Sequence, residues 1–284
     1  MKNTLRKLLL PTLLLALTLG TAFAQATVES LQQNGITVAT ANEIPYGWVE
    51  NGEAFGIAPE VATAVLESMG ITNITWTVTE FGSLIPGLIA DRFDLVAASQ
   101  AVLPARCEQV SFSKINSSYG EGFLVLAGNP QNIHSYQDFV DNPNLRMGIV
   151  SGADQLDFAQ AYGLAENQIV PLNANADAPS ALTANRIDAY AATGLTAAGL
   201  AANNDRVDVA DPFEDPVIDG VAARSYGAFT FSQDDEEFLA AFNEALAAFQ
   251  ETPAYREILT KHGLSDGDVD AALAASTADL CAGM

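Results

Sequence analysis

The segment Gly35-Ile36-Thr37-Val38-Ala39-Thr40 alternates β-branched and small residues as a strand does, and the elements downstream of it decide the fold class. Residues 42–56 are rich in Gly, Pro and aromatics and read as a loop. Pro59 then falls where a first helical turn tolerates proline, Val61, Val65, Leu66 and Met69 come next at helical spacing, and Gly70 ends the helix. Ile74 to Val78 reads as a strand, Leu84 to Ala90 as a helix and Phe93 to Ala98 as a buried strand. This βαβαβ order with short connections predicts an α/β layer on a largely parallel sheet, with ligand loops at the carboxyl ends of the strands.

Beyond Gly128-Asn129-Pro130 the same rhythm returns. Arg146 to Val150, Gln168 to Leu172 and Ile187 to Ala192 read as strands, with helices at Asp154 to Tyr162 and Pro179 to Asn185 between them. Two such rounds in 284 residues predict two α/β lobes rather than one. Ala222 to Phe231 gives a further strand, and Phe238, Phe242, Leu246 and Phe249 share one face of a long helix. A shorter helix occupies 253–262, and Asp266 to Cys281 reads as helical and alanine-rich. The expected division is 25–125 for the first part of lobe 1, 126–223 for lobe 2 and 224–284 for the return to lobe 1, hinged near Phe123 to Gly128 and Ala222 to Ala228.

The chain carries 12 Lys and Arg against 35 Asp and Glu, a formal charge of −23, with 49% hydrophobic residues. Such a field repels phosphate backbones and excludes a nucleic-acid partner. Lys2, Arg6 and Lys7, the apolar run Leu8 to Leu19 and the small-residue pattern Ala22-Phe23-Ala24 form a secretory signal over 1–24. The apolar run is too short for the alternative, a membrane anchor, and contains Pro11. Cleavage after Ala24 removes three basic residues and no acidic ones, leaving nine against 35 and a charge of −26. The product is expected to be exported to a periplasm-like space. There two cysteines, Cys107 and Cys281, suffice for one bridge. A reactive thiol or metal ligand is the alternative, but neither His134 nor His262 lies near a cysteine in sequence.

Three loops come after strands of the first lobe and would open on one crevice: 42–48, 80–83 and 99–106. Arg106 is placed either to grip a carboxylate bidentately or to pair at the surface with Glu108. Glu43 is a cation ligand, a general acid or base, or a solvated loop carboxylate. Tyr46 and Phe81, and more weakly Trp48, suit either stacking on a cation or packing beneath the loops. Ser151-Gly152-Ala153-Asp154 opens a second-lobe helix whose N–H groups could meet an anion, although Asp154 also suits a helix cap. No serine elbow, phosphate-cradling glycine loop or zinc motif is present in the sequence, and no cofactor or metal is expected.

Several stretches together resemble the family 3 extracellular solute-binding proteins of ABC importers: 55–61, Arg92-Phe93-Asp94-Leu95-Val96, Pro104-Ala105-Arg106 through Ser111-Phe112-Ser113, and Tyr226-Gly227-Ala228-Phe229 leading into residues 235–259. The resemblance implies a two-lobed type II periplasmic binding protein, two crossovers between the lobes, and ligand in the interlobe cleft. Its implied partners are a small zwitterionic solute and the membrane permease subunits of an importer, with the protein acting as a monomer. Arg106 falls on the family's carboxylate-binding arginine. Where amino-acid binders place an Asp for the ammonium, this sequence has Thr193-Gly194, and where they place Ser or Thr for the carboxylate it has Asp154. Within the family, 41–46, 81–88, 104–107 and Leu280-Cys281 are similar to ectoine- and hydroxyectoine-binding proteins. That likeness implies Glu43, Tyr46 and Phe81 around a cyclic amidinium and Arg106 on the carboxylate; a third aromatic expected near Ala101 is absent. A polar amino-acid binder, and a cyclohexadienyl dehydratase-like enzyme using Glu43 as acid, are the alternatives on the same fold.

Overall fold

Helix α1 (Val28–Asn34) leads into strand β1 (Ile36–Thr40), where Ile36, Val38 and Ala39 are buried. The computed structural model describes residues 27–218 and 220–284, so the secretory signal expected over 1–24 lies outside the described residues. The loop after β1 carries a small hairpin, β2 (Trp48–Glu50) with β3 (Glu53–Phe55). Helix α2 (Ile57–Ser68) then buries Val61, Ala62, Val65 and Leu66 against the first-lobe core. At roughly 1.5–3 kcal/mol for each large apolar side chain, that face fixes the helix to the sheet.

Strand β4 (Ile74–Val78), helix α3 (Leu84–Ile89) and strand β5 (Leu95–Ala101) complete the expected βαβαβ unit, with β1 parallel to both β4 and β5. A single-turn helix α4 (Pro104–Cys107) precedes β6 (Ser111–Tyr119), which the sequence pattern does not mark as a strand. Its Ser113, Asn116, Ser117 and Ser118 are all fully buried, so the polar and apolar alternation of a half-exposed strand is absent. The burial is tolerable where the groups are partnered: Ser113 Oγ accepts from Phe229 N–H at 3.0 Å, and Ser118 Oγ donates to the Asp268 carbonyl at 2.9 Å.

The chain changes lobes at Gly120. Tyr119 pairs with Ser225 in the first sheet, whereas Glu121, opening strand β7 (Glu121–Leu126), pairs with Thr193 in the second. The boundary therefore precedes the expected 125, and Phe123 sits inside a sheet strand rather than a hinge. The second lobe continues with α5 (Tyr136–Asp141), β8 (Met147–Val150), α6 (Gln155–Ala161), β9 (Ile169–Leu172), α7 (Ala178–Thr183), β10 (Ala189–Thr193), α8 (Gly194–Ala202) and β11 (Val207–Val209). A hairpin of β12 (Val217–Ile218) and β13 (Val221–Ala222) precedes the return crossing at Ala223-Arg224.

Strand β14 (Ser225–Phe231) re-enters the first sheet antiparallel to β5, giving the order β4-β1-β5-β14-β6; the second sheet runs β11-β7-β10-β8-β9. The result is a mixed α/β fold of two five-stranded sheets in two lobes. Helix α9 (Glu236–Gln250) packs Phe238 and Phe242 edge-to-face on Phe231 of β14, and α10 (Pro253–Lys261) comes next. The helical stretch expected over 266–281 consists of α11 (Asp266–Ala274) and α12 (Thr277–Cys281). Ala275 turns extended, and Ser276 caps the new helix by accepting from the Asp279 N–H. Cys281 is bonded to Cys107, with Cα atoms 5.7 Å apart, so the last helix is tied to α4 of the first lobe. Among the described residues no helix is long and apolar enough to cross a membrane.

The bridge joins residues 174 apart in sequence, and a cross-link over so long a loop restricts the unfolded chain strongly. Cys107→Ser/Cys281→Ser is expected to lower unfolding stability by about 2–4 kcal/mol in urea titration. Thiol titration of unfolded, unreduced protein is expected to find no thiol; finding two would contradict the bridge.

Candidate ligand-binding site

Loops at the carboxyl ends of β1, β4 and β5 face α6, α8 and the end of β10 across the two lobes, and enclose a cavity of about 400 Å³ counting the part open to solvent. Past Phe81, Val150 and Asn175 it continues into a wider groove bordered by Asn42, Thr79, Glu80 and Asn173. Its walls include Glu43, Tyr46 and Phe81 from the first lobe and Asp154, Gln155 and Thr193 from the second.

Glu43 is held by a closed turn, exchanging backbone hydrogen bonds of 2.8 Å with Gly47. Its Oε1 accepts from Thr196 Oγ1 at 2.8 Å, a contact between the lobes. Thr196 is held in place by Thr193, which caps α8 by accepting from the Thr196 N–H at 3.1 Å. Removal from water, aided by the charge of Asp154 and opposed by the hydrogen bonds from Thr196 and Asn175, raises the Glu43 carboxyl to about 7. Glu43 is thus not a solvated loop carboxylate.

Tyr46 is buried, with its ring edge-on to Tyr119 at 4.9 Å between centroids, and burial pushes its phenol well above the ordinary value. It packs and lines the cavity at once. Phe81, in a tight 3-10 turn over Phe81–Ser83, offers its face to Arg106, whose guanidinium carbon lies 5.8 Å from the ring centroid. Trp48 packs instead on Phe55 and His262 and is not part of the cavity wall.

Arg106 is buried and does not make the surface pairing with Glu108. Its Nη1 donates to the Ala101 carbonyl at 2.7 Å and its Nη2 to the Gly152 carbonyl at 2.8 Å, the latter across the cleft. The guanidinium lies over the Phe81 ring and is not among the residues lining the cavity. Asp154, also buried, makes no capping bond to α6; its Oδ2 accepts from Ser225 Oγ at 2.5 Å, so the capping alternative is not realised.

Sequence reasoning missed Tyr119, Gln155, Asn175, Tyr190 and the buried Glu121 that holds Gln155. Tyr119 and Tyr190 are core-like in sequence, yet Tyr119 donates to the Ser99 carbonyl at 2.9 Å and Tyr190 to Asn175 Oδ1, and both line the cavity. Ser99 itself adopts a left-handed φ of 46° within β5, an uncommon backbone state for serine that recurs at ligand sites. The lobes approach each other closely at a glycine: a Cβ on Gly82 would lie 2.8 Å from the Ser151 carbonyl oxygen.

A polar, aromatic-walled cavity between two lobes has the form of a small-molecule binding site. The match to the bacterial extracellular solute-binding proteins, family 3, spans residues 36–266, and the chain belongs to that family. It is 47% identical over 259 residues to a probable amino-acid ABC transporter periplasmic-binding protein of Sinorhizobium fredii, covering 90% of this chain and 86% of that one. It is similar to the crystal structure of EhuB in complex with hydroxyectoine, at a TM-score of 0.82 and 29% identity, covering 90% and 98% of the two chains. The ancestral amino acid-binding protein AncCDT-1, a precursor of cyclohexadienyl dehydratase, shares the fold at a TM-score of 0.70 and 23% identity, covering 83% and 99%.

A carboxyl raised on folding contributes stability that is complete below its unfolded value, 4.5, and is lost as pH rises through about 7. Glu43→Gln removes that loss, so its stability advantage over wild type should grow from near zero at about pH 4.5 to on the order of 2–3 kcal/mol at pH 8. Urea unfolding across that range checks it. Gly82→Ala should hold the lobes apart at Ser151, weakening solute binding and enlarging the radius of gyration of the solute-saturated protein by small-angle scattering.

Proposed function

We propose that the protein is the periplasmic receptor of an ABC importer and captures a small, compact zwitterion of the ectoine or hydroxyectoine type. The observation that carries this reading is the convergence of Glu43, Tyr46 and Phe81 on one cavity, with the Arg106 guanidinium over Phe81. A delocalised cation fits between the Glu43 carboxylate and the two rings, where charge and cation–π attraction add. The ligand carboxylate takes the place of the Gly152 carbonyl on Arg106 Nη2, turning a neutral acceptor into a charged one. The likeness to EhuB in its hydroxyectoine complex supports the assignment. The signal-like residues 1–24 support export, and family membership supports delivery to permease subunits.

Isothermal calorimetry with ectoine, hydroxyectoine, proline betaine, glutamine and arginine tests the assignment. Ectoine or hydroxyectoine should bind, and Arg106→Ala should weaken binding at least about tenfold, since charge-assisted hydrogen bonds are worth roughly 1.5–3 kcal/mol each. Tight binding of glutamine or arginine with no ectoine signal would move the ligand to the polar amino acids. Unchanged affinity in Arg106→Ala would remove the carboxylate clamp. A second reading, a lyase on this fold, is favoured by one observation, the Glu43 carboxyl held near neutrality as an acid catalyst requires. Recovery of every solute unchanged after incubation with stoichiometric protein eliminates it.

A further inference from the structure

We propose that Glu121, which no sequence motif marks, is a positioning residue of the binding site: a neutral carboxylic acid that fixes Gln155 on the cavity wall. Glu43 and Asp154 are then the carboxyl groups left to meet the solute. The inference rests on the interlobe cavity being the solute site.

Glu121 is the first residue after the Gly120 crossing and is 6% exposed. Its Oε2 accepts from Gln155 Nε2 at 2.7 Å, while its Oε1 is buried with no hydrogen-bond partner. An ionised carboxylate seeks several donors, and here there is one. The charges that act on it are all acidic: Asp154 at the start of α6, Asp215 ahead of the return crossing, and Glu43 from the first lobe. A charge on Glu121 would oppose the ionisation of the buried phenols of Tyr46, Tyr136 and Tyr190. No cation is among these groups. A buried carboxyl in such company takes up a proton instead of remaining charged, and burial with the Asp154 charge pushes it well above the ordinary carboxylate range. The proton sits on Oε1, and the carbonyl Oε2 accepts from Gln155.

The position matters because Gln155 is the residue after Asp154, and Asp154 is held by Ser225, the first residue after the second crossing. The two crossings therefore grip adjacent residues of one cavity wall, Glu121 on Gln155 and Ser225 on Asp154. Releasing Gln155 loosens the start of α6, and with it the placement of Asp154.

The test compares Glu121→Gln, which keeps the shape and neutrality of the protonated acid, with Glu121→Ala, which removes the hold. Calorimetry with ectoine should give Glu121→Gln an affinity within about threefold of wild type, and should show Glu121→Ala and Gln155→Ala each weaker by about tenfold, with the double variant no weaker than either. Equal losses in Glu121→Gln and Glu121→Ala would overturn the proposal by making Glu121 a working anion. No loss in Glu121→Ala would overturn it by removing the positioning role. Two readings need no solute and separate this proposal from the ligand assignment. The melting temperature of Glu121→Gln relative to wild type should rise between about pH 5 and pH 8, because the unfolded wild-type chain ionises this group there and the folded one does not; a flat difference contradicts the neutral acid. The Gln155 side-chain amide should exchange slowly by NMR in wild type and Glu121→Gln and rapidly in Glu121→Ala; equal exchange in all three contradicts the hold.

Discussion

Two carboxyl groups face one enclosed space between the lobes, Glu43 from the first and Asp154 from the second, and the guanidinium beside them is occupied with backbone carbonyls. Buried negative charge without a matching cation is the constraint on which the rest of the site depends. It explains why Glu43 is held near neutrality and why Thr196 and Ser225 serve as donors to Glu43 and Asp154. Each of these contacts joins the lobes, and each involves a group suited to a ligand. A zwitterion with its cation toward Glu43 and its carboxylate toward Arg106 replaces weak neutral contacts with charged ones while the lobes stay together.

The same constraint acts at longer range. Without residues 1–24 the chain carries a formal charge of −26, so free anions are repelled before they reach the cleft. A net-neutral solute escapes that repulsion, and the selectivity for its carboxylate must come from Arg106 at short range. Arg106 is suited to this because its fork of donors is already dry and oriented by the Ala101 carbonyl and the Phe81 ring.

Much of the fold was legible because periodicity encodes it: β1, α2, β4, α3 and β5 fall where Ile36, Val61, Ile74, Leu84 and Leu95 place them, and the second lobe repeats the pattern. The strands flanking Gly120 were not, since β6 buries serines and an asparagine, and a pattern of hydrophobicity cannot report a partner such as Phe229 N–H or the Asp268 carbonyl. Glu43, Tyr46 and Phe81 were legible as loop residues after strands, and they meet at the cavity. Arg106 was legible as a cation at a strand end, but its engagement with Gly152, 46 residues away in sequence, was not. Glu121 and Gln155 were invisible for the same reason: their meaning lies in a contact between residues 34 apart, not in either residue's neighbours along the chain.

The most direct measurement is a crystal structure of the protein without residues 1–24, grown with saturating ectoine. The account predicts solute between Glu43 and the Phe81 ring, with Arg106 Nη2 turned from the Gly152 carbonyl onto the solute carboxylate. An empty cavity, with Arg106 still bonded to the carbonyls of Ala101 and Gly152, would contradict it.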